Sequence, residues 1–514
     1  MGTKQPATGL ENRIAELEKE NLLLQEKVAF LTRKLYGRST EQTSSLGIQG
    51  QMSFFDEAET SVDPKAAEPD MKDVGSYRKR RFLGQREELL KDIPHERKLC
   101  TLAEEDRFCD ICNTPLVSIG EEFVRTEIEF IPAKVRVIDY YRETFECRSC
   151  RKAGKPYIEK SPLPEPVILH SFASPGAIAQ VIHQKYELAV PLYRQEAEWR
   201  ELGVRLSRAT MSNWIIVSHR DWLSPIVELL KNKLLEQNYL HIDETPVQVM
   251  GEPGRKNTTD SYMWVYSSVK NSEHPIRLFD YQPGRSGKFV EKLLRGYSGY
   301  IHTDAYKGYE KVTGVTRCFC WSHLRRYFVE ALPQGTTDPD GTIPGQAIRY
   351  INRLFELEKN LEVLSPEGKK EQRLIQEVPV LEAFWSWAET ATRGILPKSK
   401  LGTAFTYAFN QKEGLMNYLR DGNCAISNNL AENSIRPFTI GRKNWLFSGS
   451  PRGAGASASA GIYTLIETAK ANGLNPRKYM EYILGDMPGT TFQQHPEFLD
   501  DYLPWDPIIQ KICR

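Results

Sequence analysis

Apolar positions open the chain at alternating steps of four and three: Leu10, Ile14, Leu17, Asn21, Leu24, Val28, Leu31 and Leu35. That is a heptad with apolar a and d positions, and it predicts a coiled-coil oligomerisation helix over residues 10–36. Asn21 falls at an a position, where one buried amide fixes register and favours a parallel pair. Ile14, Leu17, Asn21, Leu24, Val28 and Leu31 would carry the seam of a dimer or higher homo-oligomer. The competing reading is one amphipathic helix packed on its own domain. The pattern then lapses, and residues 37–98 read as a linker that ends in a basic segment.

Alternation resumes in Phe123–Ile131 and Val135–Phe145, which predict a β-hairpin. Ser174 and Pro175 start a helix through Tyr186, Pro191 starts a second ending near Gly203, and Ser207 caps a third over Arg208–Arg220. This predicts a helix-turn-helix over residues 171–225, with Arg205 and Arg208 placed to meet DNA. Ordinary helical packing through Trp214, Ile215 and Ile216 competes with that reading.

Tyr239–Met250 begins as an apolar strand. Ser261–Val269 and Pro275–Asp280 read as two more, Ser286–Arg295 fits a helix, and Tyr300–Asp304 is a fourth strand. Three strands, a helix and a fourth strand are the order of an RNase H-like α/β core, expected over residues 236–460. Residues 321–420 look largely helical, with Leu354, Leu357, Leu361 and Leu364 at helical spacing and Trp385 and Trp387 nearby. They predict a helical insertion into that core. Residues 461–514 form a C-terminal segment. The expected fold is therefore multidomain α+β.

Composition narrows the class. Hydrophobic residues at 40% and charged residues at 26% exclude a collagen-like, mucin-like or wholly disordered chain. No apolar run approaches the ~18 residues that span a bilayer. Met1–Leu10 lacks the apolar core of a signal peptide. A cytoplasmic protein without a membrane partner is expected. Four of the nine cysteines stand as two pairs, Cys109-x-x-Cys112 and Cys147-x-x-Cys150. Each pair forms a knuckle presenting two thiolates, and two knuckles complete a tetrahedral structural Zn2+ site. That places a zinc module at residues 99–160. Four free thiols are the alternative.

Two acids sit on the predicted strands: Asp243 on the first and Asp304 at the end of the fourth. A third comes from Ser427–Pro437, where Ser427 reads as a helix N-cap, Pro437 closes the segment and Glu432 lies mid-helix. Asn429 and Arg436, at i−3 and i+4, share its face. Three such carboxylates could hold two Mg2+ ions about 3.5–4 Å apart for phosphodiester chemistry, with Mn2+ as a substitute. Spacing alone does not separate this from acids that happen to fall on suitable elements.

The local text does more. His241–Val249, His302–Tyr309, Cys320–Arg326, Asn428–Pro437 and Gly441–Ser450 stand in that order. Together they resemble the large transposase of the insertion sequence 66 family of bacterial mobile elements, over nearly the whole chain. The resemblance implies a DDE transposase on an RNase H-like fold, with the triad Asp243, Asp304 and Glu432. It implies Mg2+-dependent cleavage at transposon ends and direct attack of the freed 3′-OH on target DNA. Small accessory proteins of the same element are implied as partners. Two other functions compete: a zinc and helix-turn-helix regulator with an inactive transposase-like domain, and a related RNase H-like nuclease.

A net charge of +1 argues against DNA only if the charges are evenly mixed, and they are not. Lys72–Lys98 has nine bases against five acids, and Asn428–Gly455 has Arg436, Arg442, Lys443 and Arg452 against Glu432 alone. Glu481–Gln510 has six acids and no Lys or Arg. DNA contact is therefore expected on a few basic surfaces, including Arg436, Arg442, Lys443 and Trp445. His323 and Arg326 could support the carboxylate site, with a buried structural histidine as the alternative.

Overall fold

The computed structural model describes residues 114–115 and 134–514, apart from 156, 334–337 and 453–455. The heptad segment, the linker, Cys109, Cys112 and Phe123–Ile131 lie outside the described residues. The elements below belong to the compact unit that includes Ala133–Arg514.

Strands β1 (Thr144–Glu146) and β2 (Ile158–Lys160) pair antiparallel around the helical turn α1 (Arg148–Lys152). The hairpin expected through Val135–Phe145 is not formed as such. Residues 134–143 carry no strand, and β1 pairs with β2 instead. Val137, Ile138, Tyr140 and Tyr141 are exposed, so no buried face enforces a register there.

Four helices follow: α2 (Pro175–Ile182), α3 (Leu192–Glu201), α4 (Arg208–Ser218) and α5 (Ser224–Leu235). Ser174 and Ser207 cap α2 and α4 by accepting the Ala177 and Thr210 amides at 3.2 and 3.1 Å. Met211, Trp214 and Ile215 bury one face of α4 in the same apolar core as the central sheet.

That sheet is built from β3 (Tyr239–Val249), β4 (Asp260–Ser268), β5 (Arg277–Gln282), β6 (Gly299–Thr303) and β7 (Val315–Phe319), with α6 (Gly287–Leu293) between β5 and β6. The spatial order is β5-β4-β3-β6-β7. The first three strands are antiparallel, and β3, β6 and β7 run parallel. In β4, Met263, Trp264, Val265 and Tyr266 are all fully buried, the continuous apolar run of a strand covered on both faces. β7 has no counterpart in the sequence reading. Its Val-Thr-Arg-Cys-Phe text is short and mixed, and Cys318 is its single buried residue.

Between residues 321 and 420 the chain forms α7 (Trp321–Glu330), α8 (Ile343–Leu361), α9 (Pro366–Gln376), α10 (Val378–Ala391), α11 (Lys400–Asn410) and α12 (Lys412–Met416). These helices close around an apolar core of their own that includes Leu324, Phe328, Leu354, Phe384 and Phe405. Fully buried Arg373 ties it to the returning chain. Its guanidinium donates to Glu358 at 2.5 and 3.0 Å and to the carbonyls of Tyr418, Asp421 and Cys424 at 2.7–2.9 Å.

The chain then enters α13 (Asn429–Trp445), β8 (Phe447–Ser448), α14 (Ala456–Ala471), α15 (Pro476–Asp486) and α16 (Pro507–Ile512). α13 differs from the sequence expectation at both ends. Its N-cap position is Asn428, not Ser427, and Pro437 lies inside the helix. Pro437 withdraws one amide, which strands the carbonyl four residues back. That carbonyl belongs to exposed Asn433, while buried Phe438 and Gly441 keep the helix seated. α14 covers the outer edge of the sheet: Thr464 and Thr468 accept the Phe279 and Arg277 amides of β5 at 2.9 and 3.1 Å, leaving that edge unavailable for pairing. Among the described residues no helix is long and apolar enough to cross a membrane.

Replacing Arg373 strips buried Glu358 of two hydrogen bonds, leaving it the Lys369 ammonium at 2.9 Å, and takes their donor from three carbonyls. Arg373→Met is expected to destabilise the protein by about 3–5 kcal/mol, read as a lowered midpoint in urea unfolding.

Candidate active site

Two histidines and an asparagine set the geometry. His241 and His302 are register partners on parallel β3 and β6. Their rings stack with centroids 4.2 Å apart and planes 11° from parallel. Asn428 reaches under the sheet: its Oδ1 lies 3.0 Å from His241 Nδ1, and its Nδ2 donates to the Ile242 carbonyl at 2.8 Å. His302 Nε2 accepts the Ala425 amide at 2.9 Å, and its Nδ1 faces the Leu240 carbonyl at 3.2 Å. The Asn428 amide donates to Cys320 Sγ at 3.1 Å. Burial, followed by the neighbouring His302, pulls the His241 imidazole well below its usual range, so it stands neutral. The segment that launches α13 is thus bonded to both central strands. Asn428 spends its side chain on this link, so it makes no side-chain cap bond to the helix.

Asp243 and Asp304 each lie two residues beyond one of these histidines, Asp243 within β3 and Asp304 just past β6. Asp243 Oδ1 accepts the Glu244 amide and Asp304 Oδ1 the Tyr306 amide, both at 2.9 Å. Glu432 comes from the first turn of α13. The three acids lie close enough to feel one another. Burial first, and then the charges of Glu244, Glu432 and Asp304, push the Asp243 carboxyl well above the usual range.

Basic groups stand round this cluster. Glu432 Oε1 is 3.6 Å from His323 Nδ1, and Oε2 is 3.5 Å from Arg326 Nη2. Burial alone would lower His323, but its contact with the Cys320 thiol and the charges of Cys320 and Glu432 outweigh it and push the imidazole up to about 9. Three participants carried no sequence signal strong enough to single them out. Glu244 has a fully enclosed carboxylate that accepts from Tyr309 Oη and, at 2.6 Å, from Arg285. Arg285 also approaches Asp304 Oδ2 at 3.7 Å and lies 4.1 Å over the Tyr306 ring. Glu244 and Tyr309 lie within the motifs of Asp243 and Asp304, whereas Arg285 comes from an unremarked turn before α6.

The expected DNA contacts separate into two groups. Arg205, Arg208, Arg436 and Lys443 are exposed. Arg442 bonds Thr245 Oγ1 at 2.9 Å and the Pro246 carbonyl, which holds α13 to β3. Trp445 packs edge-on to Tyr186 at 6.4 Å, with the Lys185 ammonium 4.3 Å above its ring. Of the cysteines expected to bind zinc, Cys147 sits at the N-cap of α1 and Cys150 within it. The Cys150 amide and thiol lower the Cys147 thiol, while Cys150 itself is raised by Cys147. The two sulfurs lie close enough to interact, as two ligands of one metal ion must.

Comparison with known proteins agrees with this layout. Residues 170–456 match the family described as Transposase IS66 family. Residues 106–151 match the zinc-finger binding domain of transposase IS66, and residues 464–505 the IS66 C-terminal element. Residues 23–97 match a family described as Transposase C of IS166 homeodomain. Among individual proteins, the chain is 28% identical to the uncharacterized protein y4hP of Sinorhizobium fredii (strain NBRC 101917 / NGR234), over 94% of this chain and 88% of that protein. The uncharacterized protein y4jD of the same organism is 25% identical, over 97% of each chain.

Asn428→Ala leaves His241 Nδ1 and the Ile242 carbonyl unpaired in the interior. It is expected to cost about 1–3 kcal/mol for each group left without a partner, measured by the urea midpoint relative to wild type.

Proposed function

The chain belongs to the IS66 transposase family, and we propose that it is a DDE transposase. In this reading Asp243, Asp304 and Glu432 are the catalytic acids of an RNase H-like core. The observation that carries the reading is that Asp304, just past β6, and Glu432, on α13, lie near enough to buried Asp243 on β3 for their charges, with that of Glu244, to help push its carboxyl far above its usual range. A buried carboxylate so raised is stabilised as an anion by added positive charge. A hard-oxygen donor set suits Mg2+, and Glu432 Oε1 has no hydrogen-bond partner of its own. Asp243, Asp304 and Glu432 would hold two ions, with Mn2+ able to substitute. When bound, the ions activate the attacking oxygen and stabilise the leaving oxygen.

The reaction has two steps at phosphorus. A water oxygen attacks the phosphodiester at the transposon end; its new P–O bond replaces the bond to the 3′ oxygen, which leaves as the 3′-OH. That hydroxyl then attacks a target phosphodiester, its proton is lost, and the target's own 3′ oxygen departs and takes up a proton. No covalent enzyme intermediate is needed. Arg285 and Arg326, beside Asp304 and Glu432, steady the acids and offer charge to the phosphate.

The rest of the chain serves DNA in this reading. Residues 171–225 act as a helix-turn-helix in which Arg205 and Arg208 meet the backbone of the ends, and Arg436 and Lys443 extend the contact beside the acids. Cys109, Cys112, Cys147 and Cys150 hold a structural zinc ion. The heptad over residues 10–36 joins subunits so that two ends are held together. The helices of residues 321–420 clamp DNA against the core. Accessory proteins of the same element and a cytoplasmic setting complete the proposal.

Asp243→Asn is expected to lower Mg2+-dependent end cleavage and strand joining by at least about 10²–10³-fold, with end binding retained in gel-shift assays. Absence of joining by the wild-type protein in Mg2+ or Mn2+ would favour the regulator. Arg205→Ala combined with Arg208→Ala should reduce the slope of log affinity against log salt by roughly 1.8, about 0.9 for each phosphate contact; an unchanged slope would remove these residues from the interface.

A further inference from the structure

Cys320 stands at the N-cap of α7 and His323 in its first turn. The Cys-x-x-His spacing turns both toward Glu432, and one ligand atom of each of the three residues lies within 4.8 Å of the others. The catalytic reading uses Glu432 but leaves Cys320 and His323 without a chemical task.

Two buried atoms at this spot have no hydrogen-bond partner: His323 Nδ1 and Glu432 Oε1. They face each other at 3.6 Å, beyond the usual span of an N–H···O bond. A tetrahedral zinc ion lies about 2.0–2.2 Å from nitrogen and oxygen ligands, which sets two such ligands roughly 3.4 Å from each other. The observed gap is therefore the separation a shared cation requires. Cys320 Sγ accepts the Asn428 amide at 3.1 Å, which orients the sulfur. Arg326 engages the other oxygen of Glu432, at 3.5 Å, and leaves Oε1 facing His323.

We propose that Cys320, His323 and Glu432 form a regulatory site for a thiophilic divalent cation, Zn2+ foremost. Sulfur and imidazole ligands select Zn2+ over Mg2+, and three protein ligands leave one coordination position open. The inference rests on the reading of Glu432 as a catalytic acid: an ion held here occupies Glu432 and withdraws it from Mg2+ chemistry. The site acts as an inhibitory switch governed by free zinc.

The test uses the full-length protein equilibrated with Zn2+ in excess Mg2+, with zinc counted per chain in wild type, Cys320→Ser and His323→Gln. Circular dichroism melting establishes that both variants are folded. One more zinc in wild type than in either variant is expected, and equal contents overturn the site. In a second arm, Mg2+-dependent end cleavage is titrated with Zn2+, each protein normalised to its own zinc-free rate. Inhibition should need at least tenfold more zinc in Cys320→Ser, and equal sensitivity overturns the regulatory role. If wild type cleaves no ends in Mg2+, the catalytic reading fails while the zinc count still decides the site.

Discussion

The hydrogen-bonded link between the two central strands and the start of α13 is the constraint on which the candidate site depends. The acids come from positions 243, 304 and 432, and almost all of the sequence between the last two is spent on β7 and a set of helices with its own core. An excursion of that length must return in register within a fraction of an ångström to place a carboxylate. Asn428, bonded to His241 and the Ile242 carbonyl, and Ala425, bonded to His302, perform that registration. The stacked imidazoles join the two strands at the same level. The histidines two positions before each aspartate are therefore part of the site's construction without touching the reacting atoms. Arg373 adds a second anchor by holding the carbonyls of Tyr418, Asp421 and Cys424 as the chain returns.

Electrostatics runs against this architecture. Burial and the neighbouring acids raise the free energy of ionised Asp243 and Glu244. The protein offsets this with fixed cations on the rim: Arg285 between Glu244 and Asp304, and Arg326 on Glu432. These groups hold the carboxylates apart in defined directions. The same balance makes the region responsive to cations, whether hard ions among the oxygens or a softer ion at Cys320 and His323.

Much of this was legible in the sequence, for identifiable reasons. The Ser174 and Ser207 caps are local, and local signals survive folding. The strands of Asp243 and Asp304 were legible because their apolar text has no competing use. β7 was not legible, because its position comes from pairing with β6 rather than from its own alternation. Ser427 reads as the better cap by composition, but Asn428 occupies the cap position because its side chain is recruited by a strand far away in sequence. Pro437 reads as a terminator, yet packing of Phe438 and Gly441 carries α13 past it. In each case a long-range contact overrode a local preference, and long-range contacts are what one sequence does not display.

The central claim is that Asp243, Asp304 and Glu432 bind the catalytic ions together. The most direct measurement is anomalous diffraction at the manganese edge from crystals of the full-length protein with end DNA and Mn2+. The account predicts two peaks about 3.5–4 Å apart, within coordination distance of those carboxylates. Manganese density elsewhere, with these three acids free of metal, would contradict it.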